Sequence, residues 1–166
     1  MQTPAHRRLI FEELFLLETF LFSKKLGLQK ENSPVYKSHG ELKQKVISSL
    51  PFKLTNGQQQ ATLDIENDFL TGHPMHRLNQ GDVGCGKTMV AFLSAVLMKE
   101  NNYQSCIMVP TEILAEQHYT NAINYLSGHG ISVELLTGKT TAKQRRELFE
   151  RLAQGQIDLL IGTHAL

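Results

Sequence analysis

The chain has 166 residues, 41% of them hydrophobic and 20% charged, with a formal net charge of +1. That balance excludes a disordered chain, and the length suffices for one ordinary domain with its own core. The two cysteines give no disulfide framework and suit a reducing compartment, and near-neutrality gives no global attraction to nucleic acid, so any such role rests on local contacts.

Residues 5–26 read as one long helix. Phe11, Phe15 and Phe22 fall on one face and Ile10, Leu14, Leu17 and Leu21 on the adjoining one. This apolar surface is too wide for a helix that packs on one side only, and it calls for docking between two bodies. The run 14–22 is too short to span a bilayer and contains Glu18. Glu12 and Glu13 precede it and no small-residue cleavage site follows, which argues against a signal peptide. A soluble cytoplasmic protein is expected. Residues 27–40 are polar, with Ser33-Pro34, and read as a linker; 41–50 is a short helix candidate. The boundary falls there: 1–50 is a helical linker and 51–166 the main domain.

In the main domain 55–70 reads as a helix, with Ala61, Ile65 and Phe69 at i, i+4 and i+8. Residues 71–74 form a turn, and 75–80 are expected as a strand, although Met75 and Leu78 are its only strong apolar residues. An apolar helix covers 89–98. A strand at 105–109 is stopped by Pro110, and Thr111 caps a helix to about 127 with Glu112 in its first turn. A strand at 132–136, a helix at 141–153 and a strand at 157–161 complete the pattern. The alternation predicts an α/β fold, a parallel sheet flanked by helices with right-handed crossovers.

The chemistry is carried by Gly81, Asp82, Val83, Gly84, Cys85, Gly86, Lys87 and Thr88, a full match to the phosphate-binding loop G-x-x-x-x-G-K-[ST]. Its glycines let the backbone turn tightly and aim N–H groups at phosphate oxygens, and the following helix adds its positive end. Lys87 suits the β- and γ-phosphates, and the Thr88 hydroxyl suits Mg²⁺. ATP with Mg²⁺ is therefore the expected ligand pair, and Lys87 and Thr88 are the expected catalytic residues of the loop.

Three further segments narrow the field. F-K-L-T-N-G-Q occupies 52–58, V-P-T-E-I-L-A-E-Q-H occupies 109–118, and G-T-H-A occupies 162–165. With the phosphate loop, these make the chain resemble the RecG-type ATP-dependent DNA helicases of superfamily two over nearly its whole length. R-R-L-I-F-E-E at 7–13 resembles the helix that joins the DNA-binding wedge domain of that family to its motor. The resemblance implies an incomplete RecA-like phosphate-loop lobe preceded by a long helix, acting on branched or forked DNA in recombination, repair and fork rescue. It implies that Gln58 reads the adenine of ATP. It places Pro110, Thr111 and Glu112 on the DNA backbone, with Thr163 and His164, and Gly138 with Lys139, on the same nucleic-acid side.

Plainer readings stand beside these. Thr55-x-x-Gln58 is also a capping box, Thr111 is also an ordinary N-cap, and His164 alone is an unremarkable surface or packed histidine. His73-x-x-His76 lacks the carboxylate or thiol partners of a metal site, and Arg145-Arg146 reads as a solvated face. Cys85, where the family usually has Ser, is either a reactive thiol or a small side chain filling a permissive position. Asn79 stands where related chains usually carry an apolar residue.

The resemblance also implies partners for the loop that residues 1–166 do not contain: a D-E-x-H box, a second motor lobe and the wedge domain. Asp158-Leu159-Leu160 is no substitute, having no adjacent second acid. The expectation is a truncated or excised helicase segment that binds ATP without turning it over. The alternative is a small nucleotide-binding module that docks on a partner through helix 5–26. A transporter-type ATPase is disfavoured by the absence of an L-S-G-G-Q signature.

Overall fold

The computed structural model describes residues 3–28, 33–37 and 40–164, with side-chain surroundings in the first stretch described up to residue 24. Its elements are α1 (Pro4–Leu28), α2 (Glu41–Ser49), α3 (Asn56–Phe69), α4 (Lys87–Glu100), β1 (Ser105–Met108), α5 (Glu112–Leu126), β2 (Val133–Leu136), α6 (Ala142–Ala153) and β3 (Leu159–Gly162). A single 3-10 turn, Ser127–His129, follows α5.

The three strands form one parallel sheet in the order β1-β3-β2. Met108 and Leu136 both align with Gly162, so all three strands end at one edge. The alternation of side chains decides which helix covers which face. Leu159 and Ile161 join the core made with α4 and α5, where Phe92, Leu93, Val96, Ala122 and Leu126 are buried. Leu160 points the other way, into a smaller cluster with Leu136, Leu148 and Ile157 under α6. The chain moves outward from β1 to β2 and then back to β3. Right-handed connections made in opposite directions put α5 and α6 on opposite faces, as observed.

Local sequence explains the helix starts. Thr55 and Thr141 each close a capping box with the glutamine three residues on, and the Thr111 hydroxyl accepts from Leu114 N. Helix α4 is buried over much of its circumference, including Met89, Val90, Phe92, Leu93, Ala95, Val96 and Leu97.

Two expectations change. Residues 75–80 form no strand. Leu78 is 86% exposed, and Arg77 clips this extended segment to α3 through a two-bond pairing with Asp68, 2.6 and 3.0 Å. One exposed leucine and one half-buried methionine offer too little apolar surface to hold a strand in place. Asn79 is consequently exposed rather than a buried amide. The second change concerns the segment read as a linker. Residues 29–32, 38 and 39 lie outside the described residues, but 33–37 are strapped across the ends of α3 and α4. Tyr36 meets Phe69 and Tyr103 edge-on at 5.2 and 5.0 Å, and Lys37 N donates to Asn101 Oδ1. The division at residue 50 also crosses a packed contact, since Val46 of α2 is fully buried in the main core.

Up to residue 24, where its side chains are described, helix α1 is exposed. Leu9, Phe11, Leu14, Phe15, Leu17, Phe20 and Phe22 are each more than half exposed, and Ile10 nearly so. No helix among the described residues is long and apolar enough to cross a membrane.

Candidate nucleotide site and nucleic-acid edge

Helix α4 runs antiparallel to β1, which follows it, so its N-terminus lies at the edge where the strands end. The glycine loop leads directly into that terminus. Gly84 and Gly86 have φ of 84° and 83°, in the left-handed region that side chains disfavour. Gly81 is needed for a different reason: a Cβ there would stand 2.7 Å from Cys85 Sγ. The loop closes with Cys85 N on Asp82 O, and Met89 N donates to Gly86 O. Asp82 and Val83 project into solvent at its tip. Lys87 curls back over the loop, its ammonium donating to Gly81 O at 2.7 Å and Asp82 O at 2.8 Å. Cys85 is exposed and free, with Sγ 3.9 Å from the Lys87 ammonium.

Gln58 makes the capping box and also reaches the glycine loop. Its Oε1 accepts from Thr55 N, completing the capping box, while its Nε2 donates to Cys85 O at 2.9 Å. The cap therefore aims the amide at the phosphate loop. Beside it lies a cleft of about 160 Å³ lined by Thr55, Gln58, Ala61, Asn79, Gln80 and Lys87, among others. Asn79 and Gln80 reach it from the extended segment that leads into the loop. The cleft is smaller than the several hundred Å³ of a whole ligand site, so it can seat one end of a nucleotide while the rest extends over the open loop. A larger groove of about 810 Å³ runs between α2 and α3 on another face of α3, walled by Ile47, Leu50, Phe52 and the Lys43–Glu66 ion pair. It contains none of the loop residues.

Among the described residues no group of three or more His, Cys, Asp or Glu is arranged to hold a metal, and His73 and His76 build none. The donor set of the loop nonetheless fits Mg²⁺, a hard cation that readily takes one protein hydroxyl with phosphate and water oxygens. Thr88, half-buried in the first turn of α4, supplies that hydroxyl.

The second set of expected residues gathers along the same strand edge. Parallel strands lie about 4.8 Å apart, so the ends of β1, β3 and β2 span roughly 10 Å. Beyond β1 come Pro110, Thr111 and Glu112; beyond β3 come Thr163 and His164; beyond β2 comes the turn with Gly138 and Lys139. Val109 N donates to Gly162 O, holding the first two exits together, and Thr163 N reaches Leu136 O at 3.4 Å. The turn is locked by threonines: Thr137 N donates to Thr140 Oγ1, and Lys139 N to Thr137 Oγ1. Ala165 lies outside the described residues. The Glu112 carboxylate lies over Gly138, where an added Cβ would stand 2.9 Å from its Oε1. Asp158 is at the opposite end of β3, bonded to Lys99 at 2.7 Å and to Ser132 N at 2.8 Å, and is a structural residue.

A glycine loop tied to a capped glutamine, and a second row of threonines with a helix start, lie along one edge of the same parallel sheet. Residues 55–166 match the DEAD/DEAH box helicase family, and the chain belongs to it. It is similar to the ATP-dependent DNA helicase RecG of Aquifex aeolicus, at 44% identity over 161 residues, covering 97% of this chain and 20% of that protein. Against RecG of Escherichia coli K12 it is 41% identical over 165 residues, covering 99% of this chain and 24% of the relative. A solved structure of RecG bound to a three-way DNA junction matches the fold with a TM-score of 0.89 at 44% identity, covering 96% of this chain and 22% of that one. A hypothetical RNA helicase from Sulfolobus tokodaii shares the fold at 18% identity, with a TM-score of 0.53 over 74% of this chain and 33% of that one. The RecG-type resemblance therefore holds over nearly the whole chain, and the small parallel sheet with its helices is part of a RecA-like lobe. The chain spans about a fifth to a quarter of the length of these RecG relatives.

Proposed function

We propose that this chain carries the ATP-binding part of the first motor lobe of a RecG-type DNA helicase, acting on branched or forked DNA in recombination, repair and fork rescue. The observation that carries this reading is the joining of Gln58 to the loop of Lys87 at the N-terminus of a buried helix. Gln58 reads adenine by donating and accepting through one amide, exchanging its bond to Cys85 O for the base. The backbone of Gly81, Asp82, Val83, Gly84, Cys85 and Gly86 cradles phosphates, and Lys87 exchanges the loop carbonyls for β- and γ-phosphate oxygens. Thr88 holds Mg²⁺, which when bound neutralises phosphate charge. The DNA strand runs along Pro110, Thr111, Glu112, Gly138, Thr163 and His164, where the Thr111 hydroxyl and the start of α5 suit a phosphate. Two free thiols suit a cytoplasmic setting. In this reading the helical stretch 1–50 links the motor to a wedge domain.

A polypeptide limited to these 166 residues is expected to bind Mg·ATP without turning it over. Phosphoryl transfer needs a metal carboxylate, a water-orienting acid and arginines placed around the γ-phosphate, and the loop residues alone supply none of them. The test is thermal unfolding. Mg·ATP at about 100 times its Kd adds about 2.7 kcal/mol, raising Tm by roughly 5–10 °C in a chain of this size. Lys87→Ala should remove most of that shift. An unchanged shift in Lys87→Ala rejects the assigned site, and steady phosphate release by the wild-type segment rejects its incompetence. The exposed circumference of α1 favours a second reading, in which the segment docks on a partner through that helix.

A further inference from the structure

Lys139 stands at the strand edge in an unusual setting. Its ammonium lies 3.1 Å from Glu116 Oε1 and 3.4 Å from Glu112 Oε2. The two acids are one helical turn apart on the first turns of α5, so both point to the same spot. The Lys139 side chain is 70% exposed, and the Thr137–Thr140 turn fixes where its backbone sits. Gly138 leaves room for the Glu112 carboxylate to lie across the turn. Hydrogen bonding and charge from Glu116, then from Glu112, raise the Lys139 pKa, so the amine is fully charged at neutral pH.

We infer that Lys139 is a DNA-phosphate ligand held in reserve, and that Glu112 and Glu116 form a carboxylate latch that a DNA phosphate must displace to engage it. This rests on the reading of the strand edge as the DNA track. The charge argument is direct. Lys139 with two carboxylates carries one net negative charge, which repels a phosphate at the place where Thr111 and the α5 N-terminus would attract one. Glu112 lines the track, but an ionised carboxylate accepts hydrogen bonds and cannot donate one to phosphate. Its role is to hold Lys139 until DNA competes for the ammonium. Exposed ion pairs of this kind are weak, so the latch is one that a polyanion can open.

The test measures single-stranded DNA affinity against salt concentration, in the full gene product. Lys139→Gln should weaken binding about three- to tenfold at low salt and reduce the slope of log K against log salt by about 0.7, one phosphate contact on a single strand. Glu112→Gln with Glu116→Gln should tighten binding about two- to fivefold at low salt, with the gain fading as salt screens both contacts. In the Lys139→Gln background the same two glutamines still remove two negative charges beside the track, so they should tighten binding by a smaller factor than with Lys139 present. An equal gain in both backgrounds would show that the acids act by repulsion alone and would reject the latch. If they fail to tighten binding while Thr111→Ala weakens it, the latch is wrong and the track stands. If neither Thr111→Ala nor Lys139→Gln affects DNA affinity, the track itself is wrong and the latch falls with it.

Discussion

Gly86 and Cys85 show how little freedom a residue has at the nucleotide site. Gly86 has φ of 83°, and a Cβ there would stand 2.1 Å from Gln58 Nε2. Gly86→Ala therefore carries two separate faults, a left-handed backbone costing about 1–2 kcal/mol and a collision with the amide that joins α3 to the loop. It should abolish the Mg·ATP-induced rise in Tm. Adding Gln58→Ala removes the collision but not the backbone strain, so the double variant should recover part of the lost stability without recovering nucleotide protection. Full recovery by the double variant would show that the backbone strain was negligible. The two thiols offer a second test. Cys85 lies in the loop, whereas Cys106 lies on β1, away from it. Burial of part of its surroundings raises the Cys106 thiol pKa, so at mildly alkaline pH less of it is thiolate and its alkylation is slowed. Mg·ATP should protect Cys85 from iodoacetamide and leave the Cys106 rate unchanged, as read by peptide mass spectrometry. Equal protection of both would point to global stabilisation rather than contact at the loop.

At the scale of elements, capping and periodicity were the legible signals. Thr55 and Thr111 mark helix starts because a hydroxyl before an exposed N–H is a local device, decided by neighbours in sequence. The β1, β2 and β3 runs were legible because buried parallel strands are short apolar blocks. Residues 75–80 form no strand because their place before a phosphate loop does not make up for a composition with too little apolar surface. The bond from Gln58 Nε2 to Cys85 O and the seating of Tyr36 against Phe69 and Tyr103 were illegible, since they join positions far apart in the chain. Asp158 is a further case. From sequence it was only an acid that could not replace a D-E-x-H box; in the fold its carboxylate joins α4, the entry to β2 and β3. Asp158→Ala leaves Ser132 N–H without its charged acceptor and should cost about 2–3 kcal/mol, lowering Tm by roughly 5–10 °C. Lys99→Ala should cost less, about 1–2 kcal/mol, because the buried Asp158 carboxylate loses its counter-charge but keeps the bond from Ser132 N. Urea unfolding separates the two, and equal losses would place the stabilisation in the ion pair instead of the bond to Ser132.

The whole molecule is divided between a well-covered core and a helix, α1, whose described apolar side chains are largely exposed. Core residues such as Phe92, Leu126, Leu159 and Ile161 are almost completely buried, while α1 leaves apolar side chains exposed over most of its described surface. Phe11 and Phe15 stack on each other at 5.6 Å, which shields only part of either ring. An exposed apolar surface of this extent exceeds what monomeric soluble proteins normally carry, so α1 should find apolar contacts wherever they are offered. For the 166-residue chain in isolation, the nearest such surface is another copy of α1. Light scattering should therefore show an apparent mass that rises with concentration. Replacing Phe11, Phe15 and Phe22 together with Gln should bring it down to the monomer without lowering the Tm of the α/β body, because none of the three belongs to its core clusters. Added salt should not dissolve the association, since apolar burial, unlike ion pairing, is not screened. A wild-type chain that stays monomeric at all concentrations would mean that α1 folds back against its own body in solution. A triple variant that still associates would move the contact to the uncovered face of β1, where Cys106 and Met108 are exposed.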